Sequence, residues 1–296
     1  MKKVLILLLI ALVFLGCEPK EAQRPMVVST NLWIGYSPLY YAEKKGWLRE
    51  SNIKLVRSVS LGESLGLYNA EVVDMVCGTQ YEILQIADTQ KEQGSVILLD
   101  RSNGGDFVLS NRTVAELKSE KKIDVYLEIE SVNSLLLKEF INKHSLDSSR
   151  MNMIDSPQIL NSKLHMRRDA TIVVTYDPYN IKLEKEGYKE VGSTKDSELL
   201  VLDAIYISFL TENKFSKELD ALNRVVYKSL EALKSNPKEY FEVINPYYQY
   251  DSYKQFEESL KLIEWIYADH KVIVNRRKEI KNMVLPKLIK PYEDKK

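Results

Sequence analysis

Asn31-Leu-Trp-Ile-Gly-Tyr-Ser-Pro-Leu-Tyr-Tyr-Ala-Glu-Lys-Lys-Gly-Trp-Leu48 decides how this chain is built. Met26 to Asn31, leading into it, is a β-branched run and predicts a first strand. Ser37-Pro38 then marks a helix start, because a Ser hydroxyl caps free amides and Pro suits the first helical position. Leu39, Tyr40 and Trp47 can share one face, and Gly46 supplies a left-handed stop. The stretch therefore reads as strand, short polar loop and helix.

The same alternation continues outward. Ile53 to Val59 alternates like a half-buried strand, Gly62 to Glu71 is helical, Val72 to Val76 is a strand, and Gln80 to Asp88 is a short helix. Ser95 to Leu99 is another strand, closed by the loop Ser102-Asn-Gly-Gly-Asp106. A second cycle begins at Thr113, where Thr113-Val-Ala-Glu116 has capping-box spacing. Lys122 to Ile129 is a strand with Ile123, Val125, Leu127 and Ile129 on one face, and Ser131 to His144 is a helix. Strands at Met151 to Ile154 and Ala170 to Val174 and a helix from Asn180 to Glu186 follow. From Ser216 the pattern is helical to the end, including 257–267 and 274–289, with a break at Asn245 to Tyr250. Repeated units of this kind predict an α/β protein, with parallel-rich sheets flanked by helices.

Composition bounds the function. The chain has 296 residues, 45% of them hydrophobic, and its 42 basic residues balance 42 acidic ones. That supports a packed core and argues against a nucleic-acid partner, which would favour a basic excess. Two Cys cannot frame a disulfide scaffold and three scattered His are a poor start for a metal site, so neither metal nor cofactor is expected. The sequence carries no evident Ser-His-Asp set or phosphate-cradling glycine loop, which argues against an enzyme.

The first residues read as an address. Lys2 and Lys3 precede an apolar run from Val4 to Leu15, too short for a membrane-spanning helix of about 20 residues but suited to a signal peptide. Leu12-Val-Phe-Leu-Gly-Cys17 resembles a bacterial lipoprotein box. The resemblance implies a signal peptide over 1–16, cleavage before Cys17, lipid on that residue and a polar tether over 17–25. The folded part would then stand outside the cytoplasmic membrane. Cys77, inside Val-Asp-Met-Val-Cys-Gly, reads as a small buried apolar residue.

The opening stretch also resembles the start of extracytoplasmic solute-binding proteins of ABC transporters, in the nitrate, sulfonate, taurine and thiamine-pyrimidine class. Three further places are similar to that family: Asn69-Ala-Glu-Val-Val-Asp-Met-Val-Cys-Gly-Thr79, Ser102-Asn-Gly-Gly-Asp106 and Asp169-Ala-Thr-Ile-Val-Val-Thr-Tyr-Asp-Pro-Tyr179. The resemblance implies a type II periplasmic binding protein of two lobes, monomeric, with a ligand cleft between them. Lobe one would hold 26–107 and 205–296, and lobe two 108–204.

Ligands of parallel sheets gather at the carboxyl ends of the strands. The loops there offer Trp33, Tyr36, Tyr81, Tyr176 and Tyr179 for stacking, and Asn31, Ser37, Thr79, Asn103, Ser131 and Asn133 for hydrogen bonds. Asp106, Glu128, Glu130 and Asp177 place carboxylates near the same cleft, against one nearby cation, Arg101. Such a cleft would repel an oxyanion and suit a nitrogenous organic ligand. Three functions compete: delivery of a solute to an ABC permease, presentation of the liganded form to a membrane sensor kinase or cyclase, and a thiamine-pyrimidine-related enzyme. The enzyme would need a cleft histidine, and His144, His165 and His270 all fall outside the expected cleft loops.

Overall fold

Val28, Ser29 and Thr30 are fully buried in β1 (Met26–Thr30), and the first sheet grows from both edges of that strand. The computed structural model describes residues 24–90, 93–267 and 287–292, with backbone alone for 87–90. In it β1 pairs in parallel with β2 (Ile53–Arg57) and β3 (Met75–Thr79). β4 (Gly94–Ser102) completes the first pass, and the chain then leaves for a second sheet.

That second sheet has five strands. They are β5 (Asp106–Ser110), β6 (Ile123–Leu127), β7 (Met151–Asp155), β8 (Thr171–Tyr176) and β9 (Lys189–Ser193), in the order β7-β6-β8-β5-β9. β6 runs parallel to β7 and β8, whereas β5 is antiparallel to both of its neighbours. The chain returns as β10 (Leu202–Ser208), which inserts antiparallel between β3 and β4. β11 (Ile263–Trp265) and β12 (Lys287–Leu288) share the outer edge of β4 and bring the first sheet to seven strands.

Each sheet is covered on both faces. In the first lobe the helices Ser37–Lys44, Ser216–Ser235 and Pro237–Tyr248 bury Leu39, Tyr40, Leu222, Val226 and Tyr240 against Met26, Val28 and Met75. The helices Leu61–Asn69 and Gln80–Gln90 cover the other face with Leu65 and Ile83. In the second lobe Leu136 and Phe140 of the helix Val132–His144 pack on Val108, Val125, Ile172 and Val174. Capping signals act where the sequence placed them. Thr113 and Glu116 form a full capping box, and Gly46 takes a left-handed φ of 78°. Cys77 is buried.

Several expectations need correction. Ile129 is exposed, because β6 ends at Leu127 and the chain turns before it. The segment 257–267 is not one helix: the helix Tyr253–Leu260 stops and β11 follows. The helix Pro237–Tyr248 runs through the expected break, carrying Pro246, and ends only where Gln249 turns left-handed. Lys287–Leu288 is a strand, while 274–286 of the expected last helix lies outside the described residues, as do 1–23 with Cys17. Arg24, assigned to the tether, is held by Asp74 through two hydrogen bonds of 2.6 and 2.7 Å.

The lobes are joined by two crossings, 103–105 and 194–201, and Thr194 ties them together. Its hydroxyl meets Ser102 Oγ at 2.8 Å and accepts from the Gly104 amide at 2.9 Å, while its own amide donates to the Asp106 carbonyl at 3.0 Å. Two adjacent crossings of this kind form a hinge of the sort about which lobes can rotate. Because Ile172 is wholly buried in the second sheet, Ile172→Ala should cost about 2–4 kcal/mol in urea unfolding. A loss below about 1 kcal/mol would contradict this packing.

Candidate functional site

The carboxyl ends of β1 and β3 face the second lobe, and polar residues cross the gap there. Asn31 follows β1 and donates from Nδ2 to Tyr176 Oη at 2.9 Å, reaching from the first lobe to the end of β8. Trp33 meets the edge of the Tyr176 ring, with centroids 6.0 Å apart. Its indole donates to Asp100 Oδ1 at 3.3 Å. Tyr36 donates to Asp203 Oδ1 at 2.6 Å. Gly35 makes this floor fit: a Cβ there would lie 1.9 Å from Asp100 Oδ2.

Two carboxylates lock the lobes reciprocally. Glu82 belongs to the first lobe and accepts from the amide of Val132, the first residue of a second-lobe helix, at 2.8 Å. Glu128 belongs to the second lobe and accepts from the amide of Leu61, the first residue of a first-lobe helix, at 3.1 Å. Helix N-termini carry unsatisfied amides and a partial positive charge, so each carboxylate meets complementary chemistry. Thr79 fixes Glu82 through its amide at 2.8 Å and through its hydroxyl. The Gln158 amide fixes Glu128 at 3.3 Å.

The floor is acidic and buried. Glu82, Asp100, Asp106, Glu128 and Asp203 are all buried, and among the described residues none of them is in a salt bridge. Burial pushes the Asp106 carboxyl up to about 7, and Glu82 adds to the effect. Burial likewise lifts Glu128 to about 8, against the pull of the Leu61 and Gln158 amides. Glu82 is raised by the same cause. Asp100 and Asp203 are held well above the usual carboxylate range, first by burial and then by neighbouring acids.

The expected site residues divide. Asn31, Trp33, Tyr36, Asp106 and Tyr176 meet on this floor, Thr79 supports it, and Ser131 and Asn133 are buried at the facing helix start. Ser131 caps that helix, and Asn133 accepts from Gln158 Nε2 at 3.1 Å. Tyr81 and Tyr179 flank the interlobe contact. Glu130 and Asn103 are exposed instead, because the strand alternation that aimed Glu130 at the cleft ends at Leu127. Ser37 turns to Tyr240 at 3.1 Å, inside the first lobe. Asp177 is a strut: Tyr250 and Ser259 donate to its two oxygens at 2.6 and 2.7 Å. Arg101 pairs with Glu264 at 3.2 Å. His144 packs on Phe140, His165 pairs with Glu186 at the surface, and His270 lies outside the described residues.

Sequence reading missed Glu82, Asp100, Asp203 and Gln158. Asp100 and Asp203 had a signal, a lone acid in an apolar strand: Val96-Ile-Leu-Leu-Asp100 and Leu202-Asp-Ala-Ile-Tyr-Ile207. Thr79-x-x-Glu82 has capping-box spacing. Gln158 showed none.

Two lobes closed on a buried polar floor define the periplasmic binding protein fold. The family described as NMT1/THI5 like matches residues 33–240, and the chain belongs to that family. Solved structures share the architecture. The zinc-bound ligand-binding component of an ABC-type import system from Staphylococcus aureus superposes with a TM-score of 0.66 at 13% identity, covering 91% of this chain and 97% of that one. The alkanesulfonate-binding protein of Xanthomonas axonopodis pv. citri, bound to MOPS, gives 0.66 at 12%, covering 88% and 93%. The periplasmic nitrate-binding protein of Synechocystis PCC 6803 gives 0.59 at 11%, covering 78% and 68%. At these identities the likeness is one of fold. No curated protein matches the chain in sequence.

The raised carboxyls make the closed form sensitive to pH. Such groups favour the folded, closed protein fully below their unfolded values of about 4, and the gain is lost as pH rises through the folded values. For Asp106 and Glu128 those values are about 7 and about 8. The melting temperature of the ligand-free protein should therefore fall between pH 5 and pH 9 in scanning calorimetry, and Glu128→Gln should narrow the fall. A melting temperature that rises over this interval would contradict the assignment.

Proposed function

We propose that the protein captures a small nitrogenous organic solute between its lobes, outside the cytoplasmic membrane, and delivers it to an ABC permease without altering it. The carrying observation is the set of buried polar atoms without a partner around the interlobe contact. Among the described residues these include the oxygens Asn31 Oδ1, Asp100 Oδ2, Asp106 Oδ2, Asp203 Oδ2 and Gln158 Oε1, the hydroxyl Thr175 Oγ1, and the donors Asn133 Nδ2 and Arg101 Nε. Buried polar groups require partners, and this set asks for a ligand rich in N–H donors. Trp33, Tyr36 and Tyr176 supply apolar walls. The family and the fold support the capture role.

A thermal-shift panel of amines, amidines, sulfonates, nitrate and aromatic acids tests this. A ligand at 100 times its dissociation constant adds about 2.7 kcal/mol, which a melting curve registers. Nitrogenous compounds should raise the melting temperature, and Asn31→Ala should weaken the best of them about tenfold, as loss of about 1.4 kcal/mol would. A panel without a hit, or an affinity unmoved by Asn31→Ala, would contradict the reading. The proposal includes a lipid anchor on Cys17. Cells fed labelled palmitate should label the wild-type chain and not Cys17→Ser, and equal labelling of both would refute the anchor.

A further inference from the structure

Asp100 and Asp203 stand opposite each other in register across β4 and β10. They are 0% and 3% exposed. One oxygen of each accepts from a neutral donor, Trp33 for Asp100 and Tyr36 for Asp203. Among the described residues the other oxygen of each has no hydrogen-bond partner, and neither has Asp106 Oδ2. The groups that face the pair are themselves acidic or neutral. Asp106 and Glu82 act on Asp203 with like charge, Tyr36 and Cys77 are neighbours, and Thr79 lies opposite Asp203 on β3. Beyond them Tyr176 feels both Glu128 and Asp106. Arg101, next in sequence to Asp100, is engaged by Glu264 of β11.

Two buried carboxylates facing each other without a salt bridge among the described residues resist ionising together. Among the described residues no group of three or more His, Cys, Asp or Glu side chains is arranged to hold a metal ion. An organic cation would satisfy what is open: its N–H donors match the free oxygens, and the Trp33, Tyr36 and Tyr176 rings favour a positive group beside them.

We propose that the Asp100–Asp203 pair holds a shared proton while the cleft is empty and exchanges it for the positively charged end of an organic solute, with Asp106 and Asn31 as further acceptors. The inference rests on the solute-capture reading and adds the charge of the ligand and the coupling of its entry to a proton. In the exchange the carboxyl O–H bond breaks, the proton passes to bulk water, and the ammonium or amidinium N–H groups take the freed oxygens. The pair carries one net negative charge before the exchange and the pair with its cation carries the same charge after it, so entry of the solute buries no additional charge.

Calorimetric titration of the intact chain tests this, with benzamidinium, agmatine and putrescine as cationic probes and taurine, nitrate and benzoate as anionic ones. Each probe is titrated in two buffers of different ionisation enthalpy, from pH 5 to pH 8. A cation should bind with release of about one proton, and its dissociation constant should fall about tenfold for each unit of pH rise while the pair is protonated. Asp203→Asn should lower the number of protons released by about one and flatten the pH slope accordingly. Should that variant fail to fold, the infrared carboxyl band of the ligand-free wild type at neutral pH, lost on adding the bound cation, reads the same proton. Binding of an anionic probe, or cation binding with no proton released, overturns the exchange and leaves solute capture standing. Binding of no probe of either sign overturns both.

Discussion

The structure depends on burying carboxylates at the lobe contact without cations beside them. Moving an isolated carboxylate into a dry interior is costly, and an exposed arginine or lysine is the usual remedy. This cleft uses backbone instead. Glu82 and Glu128 each meet the first amide of a helix in the opposite lobe, so the desolvation of one lobe's acid is offset by the other lobe's helix terminus. The arrangement works only when the lobes are together, which couples the electrostatics of the floor to the hinge.

The rest of the fold can be read as support for that contact. β10 returns from the second lobe and inserts beside β4, and that insertion sets Asp203 against Asp100. Thr194 ties the two crossings into one hinge line. On the far side the C-terminal helices reach over to Asp177 through Tyr250 and Ser259, so the second lobe is held at its acid loop as well as at the latch. The closed arrangement is thus braced at two separated places. The floor between them keeps polar atoms that the protein itself does not satisfy.

Much of this was legible in the sequence, and what was not has a physical reason. The strand–loop–helix opening at Met26 to Lys44, the Thr113 capping box and the helix after Ser131 follow local rules, and they formed as read. The antiparallel strands β5, β9 and β10 were missed because their pairing is non-local and nothing in their own residues announces a partner. Asn31, Trp33, Tyr36, Asp106 and Tyr176 come together at the lobe contact, where strand ends led the sequence reading to expect a cleft. Glu130 was placed at the cleft beside Glu128 by extending an alternation past the true end of β6 at Leu127, and only Glu128 reaches the lobe contact. Glu82 resembled an ordinary capping residue, and only the fold brings its second oxygen to Val132.

Closure through these buried acids must respond to their protonation. The direct measurement is the distance between spin labels on Lys54→Cys in the first lobe and Lys189→Cys in the second, both exposed positions, in ligand-free protein at pH 5 and pH 9. The account predicts one short distance at pH 5 and a growing population of longer distances at pH 9, suppressed by Glu128→Gln. An identical distance distribution at both pH values would contradict it.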